Sequence, residues 1–435
     1  MRKISSMNLF EPLRSFKFQV RSFDRSARLF LAATILNGIV FSAWSLFFNF
    51  FILERGFERD YLGLVNAMPS IAGLLLGIPI GALSDRLGYK RAMLLGVVLA
   101  VVCMGLEVTV LDPNLILVMA FLGGTANMLY FISQAPFMMR ISQVENRTLL
   151  FSLSFGLSTL AGAAGSLFAG QLPGLFGELL NVAPRSAAAY QAVLLVSVAL
   201  SALTLVPLLM IRETIAAQPA SSRAEKSPAF WQVVLRPLTL RLALPNMLIG
   251  LGAAILIPYM NLFFAERFAL PDSGLGVLFS LSALLTGLGS VVGPRLAVRL
   301  GGKVRAVVFT QGTSLVFLML VGFAPSLWMA ETGFLLRGAL MNMAVPLYHA
   351  FAMERIREGE QGTANSVIEL AWQVGWAVGP YVSGLVQEAY GFTPLFLATG
   401  TLYALSIGLT WMFFGRLEGR AVDTEGVYVE DIVAG

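Results

Sequence analysis

Twelve separate runs of roughly twenty apolar residues divide this chain, and no other feature restricts its fold as tightly. A helix of that length crosses about 30 Å of hydrocarbon. Lipid cannot satisfy an open backbone, and the runs are too long and too little alternating for barrel strands, so each is expected to be a helix. The first six blocks fall at 28–52, 61–83, 92–111, 115–138, 149–171 and 188–210, and the second six at 241–264, 273–294, 305–324, 326–352, 364–388 and 392–415. The expected fold class is therefore all-α, a polytopic membrane protein with twelve transmembrane helices. Composition agrees: 13% of the residues are charged, against about 25% in an ordinary soluble domain. That is too few to coat a surface facing water. The first block is too long, and too poor in a small-residue cleavage site, to be a removed leader.

Lysine and arginine at the ends of the blocks give orientation, because basic residues near a span are retained on the cytoplasmic side. With the N-terminus inside, only Arg55, Arg59, Arg185 and Arg267 fall outside. Both termini are expected to be cytoplasmic, in the plasma (inner) membrane if the source is bacterial. The net charge of +5 is then a topology signal, and no nucleic-acid partner is expected. The basic segment 1–27 is either a plain retention signal or a contact for anionic lipid. Residues 28–210 and 241–415 form the two bundles, 211–240 a flexible cytoplasmic linker and 416–435 a cytoplasmic tail.

Enzymatic chemistry has little to work with. The chain has one histidine and one cysteine, and it lacks HExxH, GxSxG and the phosphate-binding Gly-x4-Gly-Lys-Ser/Thr. No metal and no cofactor are expected, and Cys103 reads as a buried thiol. A sensor would need a soluble output domain, for which linker and tail are too short. A monomer that carries a small-molecule substrate across the bilayer is expected.

The two halves are copies. "MMRISQVENRT" at 138–148 matches "MERIREGEQGT" at 353–363, and the same register places Gly123, Asn127 and Met128 on Gly338, Asn342 and Met343. "NFFILER" at 49–55 faces "NLFFAER" at 261–267. Three matches in one order imply a duplication. Both copies start inside, so they are parallel repeats about an axis along the membrane normal, with a seam between two six-helix bundles.

Between blocks 2 and 3 stands "GALSDRLGYKR", residues 81–91. This resembles the signature of the major facilitator superfamily, Gly-x-Leu-x-Asp-Arg-x-Gly-Arg/Lys-Arg/Lys, through Gly81, Leu83, Asp85, Arg86, Gly88, Lys90 and Arg91, with Tyr89 at a position often basic in the family. The resemblance implies a transporter that opens alternately to either side. It also implies that Asp85 sits near the start of the eleventh helix and helps latch the cytoplasmic side shut. "GTANS" at 362–366 supplies a helix N-terminus for that carboxylate, and Arg140 is a candidate ion-pair partner. Gly81 is expected to let a neighbouring helix approach closely. A turn with no switching role is the other reading. In the second copy, "RLGGKVR" at 299–305 keeps the basic pattern, but Val298 stands where Asp85 would be.

Ionisable residues inside spans are costly and mark functional candidates. Glu107 in block 3 lies close to the outer end. Arg337 and His349 share block 10, and Glu369 in block 11 forms a polar stripe with Asn365 and Gln373 beside Trp372 and Trp376. At about 1.5 Å per residue Arg337 lies roughly 23 Å up its helix and Glu369 about 8 Å up its own, so direct pairing is disfavoured. Arg337 faces water or substrate, or it bonds backbone carbonyls in its own bundle. A carboxyl in a low-dielectric cavity favours its protonated form, which makes Glu369 the first candidate for carrying a coupling proton, with His349 the alternative. Arg337 aligns with Leu122 and His349 with Gln134, so the charges are asymmetric additions to a shared scaffold. Asn342, Asn127, Asn37, Gln134 and Trp44 complete the candidate path. Many proton-driven drug exporters of the superfamily carry a carboxylate in the first or fourth helix, and here neither block does. "GWAVGPYVSG" at 375–384 resembles an exporter Gly-Pro motif displaced to the eleventh helix, and serves close packing first. The "PLLMIRET" ending after block 6 favours efflux of a hydrophobic compound over sugar uptake; uptake of a sugar, organic anion or other metabolite is the alternative.

Overall fold

The structure, a computed structural model, describes residues 23–212, 230–357 and 360–416. Twelve long helices follow the hydropathy blocks, most to within about a turn. In the first half they are α1 (Arg25–Glu54), α2 (Arg59–Leu87), α3 (Tyr89–Thr109), α4 (Pro113–Ile141), α5 (Val144–Ala169) and α6 (Ala187–Leu203). In the second they are α7 (Pro237–Leu256), α8 (Asp272–Arg299), α9 (Lys303–Phe323), α10 (Leu327–Arg355), α11 (Gln361–Tyr390) and α12 (Thr393–Phe414). Ten spans among the described residues are long and apolar enough to cross a membrane. The other two, α10 and α11, are as long but more polar, and they carry Arg337, His349 and Glu369.

Local chemistry explains the ends. Asp112 caps α4, accepting from the N–H groups of Asn114 and Leu115 at 2.8 and 3.0 Å, with Pro113 at the first helical position. Gly88 makes the α2–α3 turn with φ +83°, in the left-handed region that favours glycine. Three features depart from the block pattern. After Gly170 a short helix, Leu172–Leu180, follows α5, α6 is interrupted at Thr204 before continuing as Leu205–Met210, and α7 breaks at the 3-10 turn Ile257–Tyr259 before continuing as Met260–Phe268. Pro258 explains the break, since it lacks the N–H that would bond one turn back.

The basic N-terminal segment to residue 22, residues 213–229 of the linker and the tail from 417 lie outside the described residues. The rest of the linker is not a loose tether. Phe230–Val234 is helical, Val233 is buried, and Arg236 is ion-paired with Glu360.

Helices α1–α6 and α7–α12 form two bundles that meet along α2 against α11 and α5 against α8. Small residues make these contacts. A Cβ on Gly63 would strike the Pro380 carbonyl, one on Gly384 the Arg59 carbonyl, and one on Gly276 the Ser166 carbonyl. All three lie toward the end of the bundles opposite the termini, here termed the far end; the other is the basic end.

At the far end the halves are also joined by polar contacts. The side-chain amide of Asn49 donates to the Pro258 carbonyl at 2.6 Å and to Asn261 Oδ1 at 3.1 Å, while the amide of Asn261 donates to the Leu46 carbonyl at 2.8 Å. Each asparagine thus reaches the carbonyl three residues before the other. Arg59 pairs with Glu266 at 2.6 Å and bonds Gln387, and Arg185 donates to the Leu270 carbonyl and lies 3.5 Å from Asp272. The remaining far-end arginines are held within their own halves, Arg55 over the Phe51 ring and Arg267 on the Ala324 carbonyl. The four basic residues that depart from the charge bias therefore all have local work.

Candidate functional site

Inside the second bundle, α7, α9, α10, α11 and α12 enclose a cavity of about 470 Å³. Its wall is built by the two polar helices. From α10 come Arg337, Asn342 and His349, and from α11 Glu369, Trp372 and Trp376. Gln311 of α9 and Tyr403 of α12 close the sides. Asn246 of α7 also faces it and ties α7 to α11 by donating to the Ile368 carbonyl at 3.0 Å.

Arg337 is 6% exposed. Its guanidinium lies over the Phe334 ring, 5.6 Å from the centroid, and Ser314 donates to its backbone carbonyl at 3.0 Å. The expectation that it bonds carbonyls of its own bundle is not met: among the described residues it forms no ion pair and its Nε has no hydrogen-bond partner. An aromatic face holds a cation more weakly than a carboxylate does.

Glu369 differs from its expectation in another way. Its side chain is 51% exposed, so it is not enclosed by protein as expected. Its neighbour is His349, whose Nε2 lies 3.7 Å from Glu369 Oε1. The antiparallel course of α10 and α11 brings the two to the same height near the basic end. A histidine and a carboxylate at that distance attract when the imidazole is protonated and lose that attraction when the carboxyl is.

The polar stripe of α11 divides. Glu369 lines the cavity, whereas Gln373 turns to the seam, where its amide nitrogen lies 3.9 Å from the Cβ position of Gly73 on α2. Asn365 is half-buried and is not part of the wall. Asn342 donates to the Gly338 carbonyl at 2.9 Å. The first-half candidates are elsewhere: Trp44 stacks on Phe48 at 5.0 Å, Asn127 is exposed, and Asn37 and Gln134 are half-buried. Glu107 is buried on α3, with Oε1 3.2 Å from the Cβ position of Gly123. Gln311, Asn246 and Tyr403 were not singled out by sequence, because a lone polar residue in an apolar run has no periodicity to mark it.

At the basic end the signature turn is unlatched. Asp85 accepts from the Tyr89 hydroxyl at 3.1 Å, and Arg140 lies over the Tyr89 ring at 4.5 Å. Tyr89 thus stands between Asp85 and Arg140 in place of the expected direct ion pair. Lys90 donates to the Ile211 carbonyl at 2.6 Å, and Arg86 and Arg91 are exposed. Gly81 and Gly362 have nothing within 4 Å of a Cβ position, so neither the close approach at Gly81 nor the docking of Asp85 on α11 is made here. The glycines that meet the opposite half closely, Gly63, Gly276 and Gly384, lie toward the far end, with Gly73 and Gly287 at mid-helix. Val298, the counterpart of Asp85, is 82% exposed.

A sequence profile described as Major Facilitator Superfamily matches residues 29–380 and, in a second alignment, 242–427. The chain belongs to that superfamily. Among curated superfamily-like relatives, the multidrug resistance protein MdtG of Salmonella arizonae is 25% identical over 194 residues, 43% of this chain and 47% of its own length. MdtG of Citrobacter koseri is 27% identical over 194 residues, 43% of this chain and 46% of its own. The chain spans about half the length of these relatives. Among solved structures, a mutant of the nucleoside transporter NupG aligns with TM-score 0.74 at 15% identity, over 90% of this chain and 100% of that one. A bacterial homologue of the human lysosomal transporter Spinster, inward-facing and unoccupied, aligns with TM-score 0.69 at 14% identity over 93% and 95%. These likenesses establish the superfamily fold in an integral membrane protein.

Proposed function

We propose that the chain is a secondary transporter that exports a small amphipathic compound by alternating access, with a proton as coupling ion. The observation that carries this reading is a cavity of about 470 Å³ in a bundle whose seam is tight at the far end and open at the basic end. In this reading the basic end lies in the cytoplasm, as the lysine and arginine bias favours, both termini are inside, the state is inward-open, and the transporter acts as a monomer. Aromatic rings with a few convergent polar groups suit an amphipathic solute. The drug-resistance names of the curated relatives favour export over uptake. On closing, Asp85 exchanges Tyr89 for the N-terminus of α11.

The Glu369–His349 pair at the cavity mouth is the proton carrier in this reading. The test is a proteoliposome assay with an imposed pH gradient and a panel of amphiphiles, sugars and organic anions. Wild type is expected to accumulate an amphiphile against its gradient only while the pH difference lasts, and Glu369→Gln to keep exchange but lose accumulation. Accumulation unaffected by Glu369→Gln would remove the proton-carrier assignment.

A further inference from the structure

We propose that the cavity is a site for an organic anion with a flat aromatic body, its acid group held by Arg337 and the indole N–H of Trp376. The assignment deepens the transport reading and rests on it for its use in the membrane, although binding can be measured without transport.

Buried polar atoms are rarely left without partners, because each forfeits the hydrogen bonds it had in water. Among the described residues six side-chain nitrogen or oxygen atoms are in that condition, and three of them, Arg337 Nε, Trp376 Nε1 and Gln311 Oε1, sit on residues that line this one cavity and would turn toward a ligand seated in it. Their chemistry is specific. Two are donors, and one of those carries a full positive charge, so each calls for an acceptor, and an anionic one suits both. The third is an acceptor and calls for a hydroxyl or N–H on the same ligand. A guanidinium suits a carboxylate, sulfonate or phosphonate better than a neutral carbonyl, since charge-assisted hydrogen bonds are the stronger ones.

Charge placement points the same way. Glu369 is the carboxylate of the cavity wall, and it stands beside His349, about 15 Å nearer the basic end than Arg337 by helical rise. A cationic solute would therefore meet Arg337 at the inner end with no carboxylate there to offset it. Between the two charged levels Trp372 and Trp376 present rings 6.3 Å apart at 33°, offering faces to a planar body. The first bundle contributes none of these groups, so an anion seated here is recognised by the second bundle.

Equilibrium dialysis of the purified full chain in detergent, against protein-free micelles, tests this with three probes of one shape: 2-naphthoate, 2-naphthamide and 2-naphthylmethylammonium. Wild type is expected to bind naphthoate about ten-fold more tightly than naphthamide, with the ammonium weakest. Arg337→Gln should bring naphthoate down to the naphthamide value, and Arg337→Lys should restore part of the difference. Trp376→Phe keeps the ring but deletes the N–H, so it should weaken naphthoate several-fold and leave the ammonium unmoved. Equal binding of acid and amide, tightest binding of the ammonium, no saturable binding of any probe, or an acid preference that survives Arg337→Gln would each overturn the assignment. If Arg337→Gln does not elute as a folded monomer, Trp376→Phe decides, and unchanged naphthoate binding then sinks the proposal. Naphthoate that binds in this pattern but is not moved in proteoliposomes removes the transport reading and leaves the site. Movement of the ammonium in preference to naphthoate does the reverse.

Discussion

Asn49 and Asn261 show how much one residue can decide in lipid-enclosed surroundings. The break at Pro258 is what lets them meet: the Leu262 N–H turns to Asn261 Oδ1 at 2.9 Å, and the Pro258 carbonyl is left to accept from Asn49. Asn66 adds a bond to Asn49 Oδ1 at 3.1 Å. Asn49→Ala would strand the Pro258 carbonyl, a loss of about 1–3 kcal/mol for a buried polar group without a partner. Only the far-sealed arrangement uses these bonds, so the substitution should shift population away from it. Spin labels at Asp112 and Pro325, on far-end loops of opposite halves, should report a broader and longer distance distribution than in wild type; an unchanged distribution would count against the clasp. Sequence matched "NFFILER" to "NLFFAER" and so set Asn49 on Asn261, but a repeat names equivalent residues without saying that they touch. Arg337 was similarly legible as a costly charge, whereas its position over Phe334 follows from side-chain direction, which no pattern in the chain carries.

Helices α2 and α11 are held together by glycine and by the carbonyls that glycine exposes. Gly63 faces Pro380, and Gly375 and Gly379 face the backbone of α7 at Leu251 and Ala254, so α11 is gripped from two sides by the motif 375–384. Gly63→Ala places a methyl group against the Pro380 carbonyl, which cannot rotate aside as a side chain can. Overpacking of this kind costs about 1–3 kcal/mol, and a thermal-unfolding midpoint several degrees below wild type is the expected result; an unchanged midpoint would mean the seam yields more easily than its geometry implies. The spans themselves were readable, most to within about a turn, because each must cross the same thickness of hydrocarbon. The helix Leu172–Leu180, the interruption of α6 at Thr204 and the break in α7 were not, since hydropathy averages over a window and is blind to a local break in the backbone hydrogen bonds. The lower apolarity of α10 and α11 was readable too, and it marked the two helices that supply most of the cavity's charge.

The whole molecule is an asymmetric device on a symmetric frame. Duplication was visible in the chain, and with it the two bundles; the charges of this cavity were foreshadowed by Arg337 and His349 standing on Leu122 and Gln134. Which faces of the second bundle converge depends on helix rotation, and that is set by packing. The far-end seal gives a test at this scale. In a Cys103→Ser background, Arg59→Cys with Glu266→Cys bridged by a short bis-methanethiosulfonate should abolish transport while leaving 2-naphthoate binding from the basic end intact. Transport that continues through the bridge would show that the far end need not part. The reciprocity of the asparagine clasp carries one more consequence. Asn49 with the Leu46 carbonyl presents the same donor and acceptor as Asn261 with the Pro258 carbonyl, so the contact is self-complementary in the manner of an isologous dimer interface. The two halves therefore meet here as the two sides of a dimer interface would, although only the second carries the break at Pro258 that opens the contact.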